Sequence, residues 1–117
     1  MKHFSITELT SSATANRLKI DNTPPPEAIA NLRRLTDAVL DPARDLLGMP
    51  IFVNSGYRCP KLNKAVGGAR NSYHMKGRAA DLDTRNGSNR RLFEILRQLP
   101  HTELIWENGG TWIHIAL

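Results

Sequence analysis

The chain has 117 residues, a net charge of +5 and a single cysteine, Cys59. That length fits one domain, expected to span 1–117, and a domain of this size buries only about two-thirds of its unfolded surface. The composition, 40% hydrophobic and 23% charged, is that of a folded globular domain, and one cysteine excludes both an internal disulfide and a multi-thiolate metal site.

The opening MKHFSITELT has no apolar signal region. No apolar run long enough to cross a membrane follows it, so the expectation is synthesis in the cytoplasm without a signal peptide and no membrane segment. Ser5-Ile6-Thr7-Glu8 reads as a capping box that opens a short helix. Thr23 and Pro24-Pro25-Pro26 read as the start of a longer helix, with Thr23 as its cap. Apolar residues then recur at Ile29, Leu32, Leu35, Val39, Ala43 and Leu46, close to helical period. Pro42 marks a kink, and Gly48 with Pro50 stops the helix.

Ile51 to Val53 reads as a strand and Pro60 to Val66 as a short helix. Gly67 to Asn71 reads as a flexible connector. Ala79 to Asp83 reads as a strand with Ala80 and Leu82 on one face and Asp81 and Asp83 on the other. Ser88 is the expected cap of a helix running through Leu99. Glu103–Glu107 and Thr111–Ala116 read as strands joined at Asn108-Gly109-Gly110, a hairpin signal. Helices followed by mixed strands and helices imply an α+β domain: a small, mainly antiparallel sheet with N-terminal helices packed on it.

Two features carry chemistry. His74 and Asp81 would lie roughly 23–25 Å apart on a fully extended chain. For both to hold one metal the chain must reverse between them, and Gly77 is the residue that permits it. In the hairpin, a two- or four-residue loop puts Glu107, Trp112 and His114 on one face, while Leu104, Trp106, Ile113 and Ile115 face the core. His114 is then a diagonal neighbour of Glu107. A zinc site of two histidines and one aspartate leaves a position for water, whose pKa zinc lowers to about 7. Glu107 suits the role of proton acceptor, and Arg58 suits bidentate binding of a substrate carboxylate. His3 and His101 read as ordinary structural histidines.

Ser72-Tyr73-His74-Met75-Lys76-Gly77-Arg78-Ala79-Ala80-Asp81 fills the pattern Ser-x-His-x-x-Gly-x-Ala-x-Asp. It resembles the zinc D-alanyl-D-alanine carboxypeptidase family, which shares its fold with the hedgehog signalling domain. Trp112-Ile113-His114 and Ser55-Gly56-Tyr57-Arg58 resemble two further segments of that family. The stretch from Asn63 to Asp81 and the phrase Leu104-Ile105-Trp106-Glu107 resemble its small phage-type and bacterial members.

The resemblance implies Zn2+ held by His74, Asp81 and His114, with Arg58, Ser72 and Trp112 contacting substrate. Some relatives carry a glutamate where this chain has Thr111. Hedgehog-like members carry one further upstream, and Glu107 is read as the acid/base here, ahead of His101. The implied function is hydrolysis of a peptide bond in the peptidoglycan stem peptide, by an endolysin-like endopeptidase or a D,D-carboxypeptidase acting as a monomer on the wall after release from the cell. The alternative is a non-catalytic metal-binding or cell-wall-binding module. Lys and Arg are scattered, with no basic run or aromatic stacking motif, so nucleic acid is not an expected partner.

Overall fold

Two serines open the first two helices. In the computed structural model, which describes residues 1–117, Ser5 Oγ accepts the Glu8 amide at 3.1 Å and starts α1 (Ile6–Thr10). Ser12 Oγ accepts the Ala15 amide at 3.1 Å and starts α2 (Ala13–Leu18). Each serine satisfies an amide that the first turn would leave free. Thr23 does not cap α3 (Pro26–Leu35). Its hydroxyl donates to Asp21 Oδ1 at 2.6 Å, and Pro25 holds the cap position without a side-chain bond. A helix that begins on prolines has fewer free amides to satisfy.

Pro42 is accommodated by a π-helical segment, Thr36–Leu40, that joins α3 to α4 (Asp41–Leu47). The Asp41 amide reaches back to Thr36 O, and Pro42, which has no amide, falls in the first turn of α4. The wide turn takes up an extra residue and shifts the helical phase. Leu47 is therefore the buried residue, while Leu46, reached by counting through an uninterrupted helix, is 60% exposed. Gly48 closes α4 in the left-handed conformation.

Four strands form one antiparallel sheet: β1 (Phe52–Ser55), β2 (Ala79–Asp83), β3 (Glu103–Glu107) and β4 (Trp112–Ala116), in the order β1-β2-β4-β3. β1 runs to Ser55, beyond the expected Val53, and bends at an irregularity between Val53 and Ser55. The hairpin closes with Glu107 opposite Trp112 and a four-residue loop, within which Asn108, Gly109 and Gly110 all take positive φ. That is the chemistry the Asn-Gly-Gly run supplies.

α5 (Pro60–Ala65) follows β1, and α6 (Asn89–Leu96) follows β2, ending short of the expected Leu99. Ser88 stands at the cap position of α6 but makes no side-chain cap bond. Asn89 does the local tying instead. Its Oδ1 accepts the Thr84 amide at 2.8 Å, and its Nδ2 donates to Gly110 O at 2.8 Å and to Asp83 Oδ1 at 3.1 Å. One amide thus fastens the end of β2, the start of α6 and the hairpin loop.

The helices cover one face of the sheet. Ala80, Leu82, Ile113 and Ile115 share a buried cluster with Leu32, Leu35, Val39, Leu40, Leu92 and Leu96. Leu104 and Trp106 are half-buried at its margin. The strand alternation that buries these residues turns Asp81, Trp112 and His114 to the other face. No helix is long and apolar enough to cross a membrane. The architecture is α+β, as the sequence implied.

Candidate metal centre

His74 lies on a 3₁₀ turn, Tyr73–Lys76, that ends at Gly77 in the left-handed conformation, φ +72°. The chain then enters β2, where Asp81 pairs directly across the sheet with His114 on β4. Gly77 does more than permit the reversal. A Cβ built on it would lie 2.4 Å from the Ala28 carbonyl oxygen of α3. The turn therefore sits hard against helix backbone, and only hydrogen fits there. Gly77→Ala is expected to cost more than the roughly 1–2 kcal/mol of a left-handed alanine alone, read as a lowered Tm. A variant as stable as the parent would mean that α3 yields at this contact.

Each ring is held by an acceptor on its outer nitrogen. His74 is 2% exposed, and its Nδ1 lies 2.7 Å from the Gly56 carbonyl oxygen. A carbonyl only accepts, so Nδ1 carries the proton and the neutral ring keeps its lone pair on Nε2. His114 is the mirror case: its Nε2 lies 2.8 Å from Glu103 Oε1, which leaves Nδ1 toward Asp81. Asp81 Oδ1 is 3.3 Å from His74 Nε2 and 3.1 Å from His114 Nδ1. All three donor atoms lie within 4.8 Å of one another.

The two spacings to Asp81 fit a tetrahedral metal. Bonds of about 2.0–2.1 Å give a ligand-to-ligand edge of about 3.3–3.4 Å. Two imidazoles and a carboxylate are a donor set suited to zinc, with one position left open.

Burial alone would push the Asp81 carboxyl up. When His114 and His74 are protonated on the nitrogens that face Asp81, the hydrogen bonds and charge they bring outweigh burial and hold the group at about 2. Burial likewise works against a charged His114, but the bonds to Asp81 and Glu103 prevail and raise its pKa. The centre therefore carries an ionised carboxylate throughout the neutral range, as a cation ligand must.

The donors open on a cleft of about 450 Å3. Arg58, Ser72, Glu107 and Trp112 all line it, so every site residue expected from the sequence comes to one place. The Arg58 amide donates to His74 O at 3.0 Å, and the neighbouring Tyr57 amide donates to Leu9 O at 2.8 Å. A Cβ on Gly56 would lie 2.1 Å from that same Leu9 oxygen. Asn22 fastens the segment from the other side, donating to Thr10 O and Tyr57 O and accepting the Cys59 amide at 2.7 Å.

Burial lowers the Arg58 pKa while the Asp81 charge opposes that shift. Its Nε is buried without a partner. Ser72 has a local duty: its Oγ accepts the His74 amide at 3.1 Å and caps the 3₁₀ turn, with Arg58 Nη2 at 3.5 Å. The Glu107 carboxylate makes no hydrogen bond or ion pair within the protein.

The segment expected to be a flexible connector is a wall of this cleft. Gly67, Gly68, Ala69 and Asn71 line it. Asn63 Nδ2 donates to Ala69 O at 2.8 Å, and the Gly68 amide returns to Asn63 O at 2.8 Å. His3 and His101 lie outside. His3 bonds Asp45 at 2.7 Å, and exposed His101 contacts Leu99 O.

Three supports escaped the sequence reading: Gly56 O, Asn22 and Glu103. A signal existed for Glu103, because counting by twos from Glu107 puts it on the face of His114. Nothing in the sequence marks the other two.

The Peptidase M15 family model matches residues 2–116. A 56-residue stretch is 43% identical to the zinc D-Ala-D-Ala carboxypeptidase of Streptomyces albus G. That match covers 48% of this chain and 22% of the relative, so the chain spans only a small part of that protein's length. The metal-ready geometry and the family match agree: the chain belongs to the Peptidase M15 family.

Proposed function

We propose that the protein is a zinc peptidase that hydrolyses a peptide bond of the bacterial wall stem peptide, with His74, Asp81 and His114 as the ligands. The observation that carries this reading is the convergence of those three donors, within 4.8 Å, on an open cleft. The relative's substrate, a D-Ala-D-Ala terminus, is a chemically suitable guide to the class of peptide. Bound there, zinc would activate a water near neutral pH and polarise the scissile carbonyl.

The protein's own groups supply the rest. Glu107 stands in the cleft with its carboxylate unengaged. It takes the proton from the attacking water and returns it to the leaving amine. Arg58 is tethered through its backbone to the His74 turn. Its guanidinium holds a substrate carboxylate at a fixed distance from the metal position. Trp112, opposite Glu107 across the hairpin, gives the peptide a flat apolar surface. Ser72 keeps His74 and Arg58 in register as well as facing the substrate.

Both an exo reaction on the terminal D-alanine and an endo reaction on a cross-linked peptide fit this cleft, with the protein acting on the wall after release. The test is mass spectrometry of fragments freed from purified peptidoglycan, with zinc content measured on the same sample. We expect about one zinc per chain and fragment release that stops on chelation and returns with zinc. Free D-alanine would mark the exo reaction; larger muropeptides would mark the endo reaction. A zinc-loaded protein that releases nothing from any wall preparation would instead be a binding module.

A further inference from the structure

Two carboxylates flank His114 on the exposed face of the hairpin. Ile105 is its direct partner across the sheet, and Glu103 and Glu107 stand two residues to either side of Ile105 on β3. Only one of them touches the ring. Glu103 Oε1 lies 2.8 Å from His114 Nε2, the length of a charge-assisted hydrogen bond.

Glu103 has no other hydrogen-bond or ion-pair partner. Its side chain is 41% exposed, although a glutamate on an edge strand would be better hydrated pointing away. Its carboxylate's single polar contact is the outer nitrogen of a ring whose inner nitrogen faces Asp81 at 3.1 Å. On His74 the corresponding place is taken by a fixed backbone carbonyl, Gly56 O. The two rings are thus secured by unlike devices: one by backbone that cannot be mutated away, the other by a side chain that can.

We propose that Glu103 is a positioning residue for the metal centre: its carboxylate accepts the Nε2 proton of His114 and so fixes the tautomer and ring orientation that present Nδ1 beside Asp81. This rests on the reading of His114 as a ligand. A neutral imidazole free in solution exchanges its proton between the two nitrogens, and only one form offers Nδ1 as a donor. An acceptor on Nε2 selects that form, and a carboxylate also makes the ring a stronger donor to the metal. Glu103 and Glu107 then have separate duties on either side of one histidine.

The test uses Glu103→Ala and Glu103→Gln in the full chain, with two readouts besides activity. The first is zinc affinity by competition with a chromophoric chelator. The second is the tautomer of His114 by nitrogen-15 NMR, in zinc-free and zinc-loaded protein at one pH high enough that the zinc-free ring is neutral. Removal of an outer partner typically costs about 10–100-fold in metal affinity, and Glu103→Ala is expected to fall in that range. In zinc-free Glu103→Ala, His114 should no longer hold its proton on Nε2 alone. Glu103→Gln keeps an acceptor oxygen and should recover the tautomer and most of the affinity.

Zinc affinity in Glu103→Ala within twofold of the parent would overturn the proposal. So would unchanged zinc affinity with lost turnover, which would place Glu103 in proton transfer. A parent that takes up no zinc would sink the metal reading itself. The zinc-free tautomer would still decide on Glu103, since an unchanged tautomer in Glu103→Ala overturns its positioning role. An unfolded alanine variant would leave the glutamine variant to decide, where a His114 proton no longer held on Nε2, or a zinc affinity as low as that of His114→Ala, counts against the proposal.

Discussion

His114→Ala is expected to lose both zinc and turnover, the largest effect of any single change in the cleft. The ring supplies one of three donors, and the remaining two, His74 Nε2 and Asp81 Oδ1, lie only 3.3 Å apart. Two donors leave a metal with half its coordination to be filled by water. Affinity should therefore fall by more than the roughly 100-fold upper range for loss of an outer partner.

The same change removes the bond from His114 Nε2 to Glu103, so the metal-free variant also loses some stability. Circular dichroism of both proteins in chelator separates that cost from the loss of metal. His3→Ala is the control: His3 bonds Asp45 and lies outside the cleft, so its zinc should be unchanged. Near-stoichiometric zinc retained by His114→Ala would remove His114 from the ligand set and with it the tetrahedral reading.

The features legible in the sequence were those governed by short-range rules. The hairpin register followed from alternation plus Asn108-Gly109-Gly110, because a one-residue slip would exchange the apolar face of Ile113 and Ile115 for the polar face of His114. The reversal between His74 and Asp81 followed from distance and from Gly77, since two ligands cannot be brought together along an extended chain. Both outcomes are seen: Glu107 pairs with Trp112, and Gly77 adopts φ +72°.

What escaped depended on groups distant in sequence or on backbone alone. The Ala28 carbonyl that excludes a side chain at Gly77 belongs to another helix. The amide of Asn22 reaches Tyr57, 35 positions away, and an asparagine in a proline-rich turn gives no sign of that partner. The π-helical segment arises where Pro42 denies the helix an amide, and local periodicity carries no information on how the extra residue is absorbed. Glu103 is the intermediate case. Its strand face was readable, but which of two flanking carboxylates would close on His114 depended on side-chain direction.

The division of labour between those carboxylates leads to the second large effect. Glu107→Gln is expected to keep its zinc and lose turnover by about 10²–10⁴-fold, the usual contribution of a positioned acid/base. Glutamine has the same length and fills the same space beside Trp112. Because the Glu107 carboxylate makes no hydrogen bond or ion pair in the protein, the change breaks no polar contact, and Tm should hold. The amide cannot accept the proton from the attacking water, so the loss should fall on kcat rather than KM. Zinc affinity, kcat and Tm measured together for Glu103→Ala and Glu107→Gln should show opposite patterns, metal weakened in the first and chemistry in the second. A Glu107→Gln enzyme turning over near the parent rate would remove the proton-transfer role from this residue. With exposed His101 outside the cleft, Glu103 would then be the carboxylate left in reach of the metal position, and its own variants would reveal the transfer as lost turnover at unchanged zinc affinity.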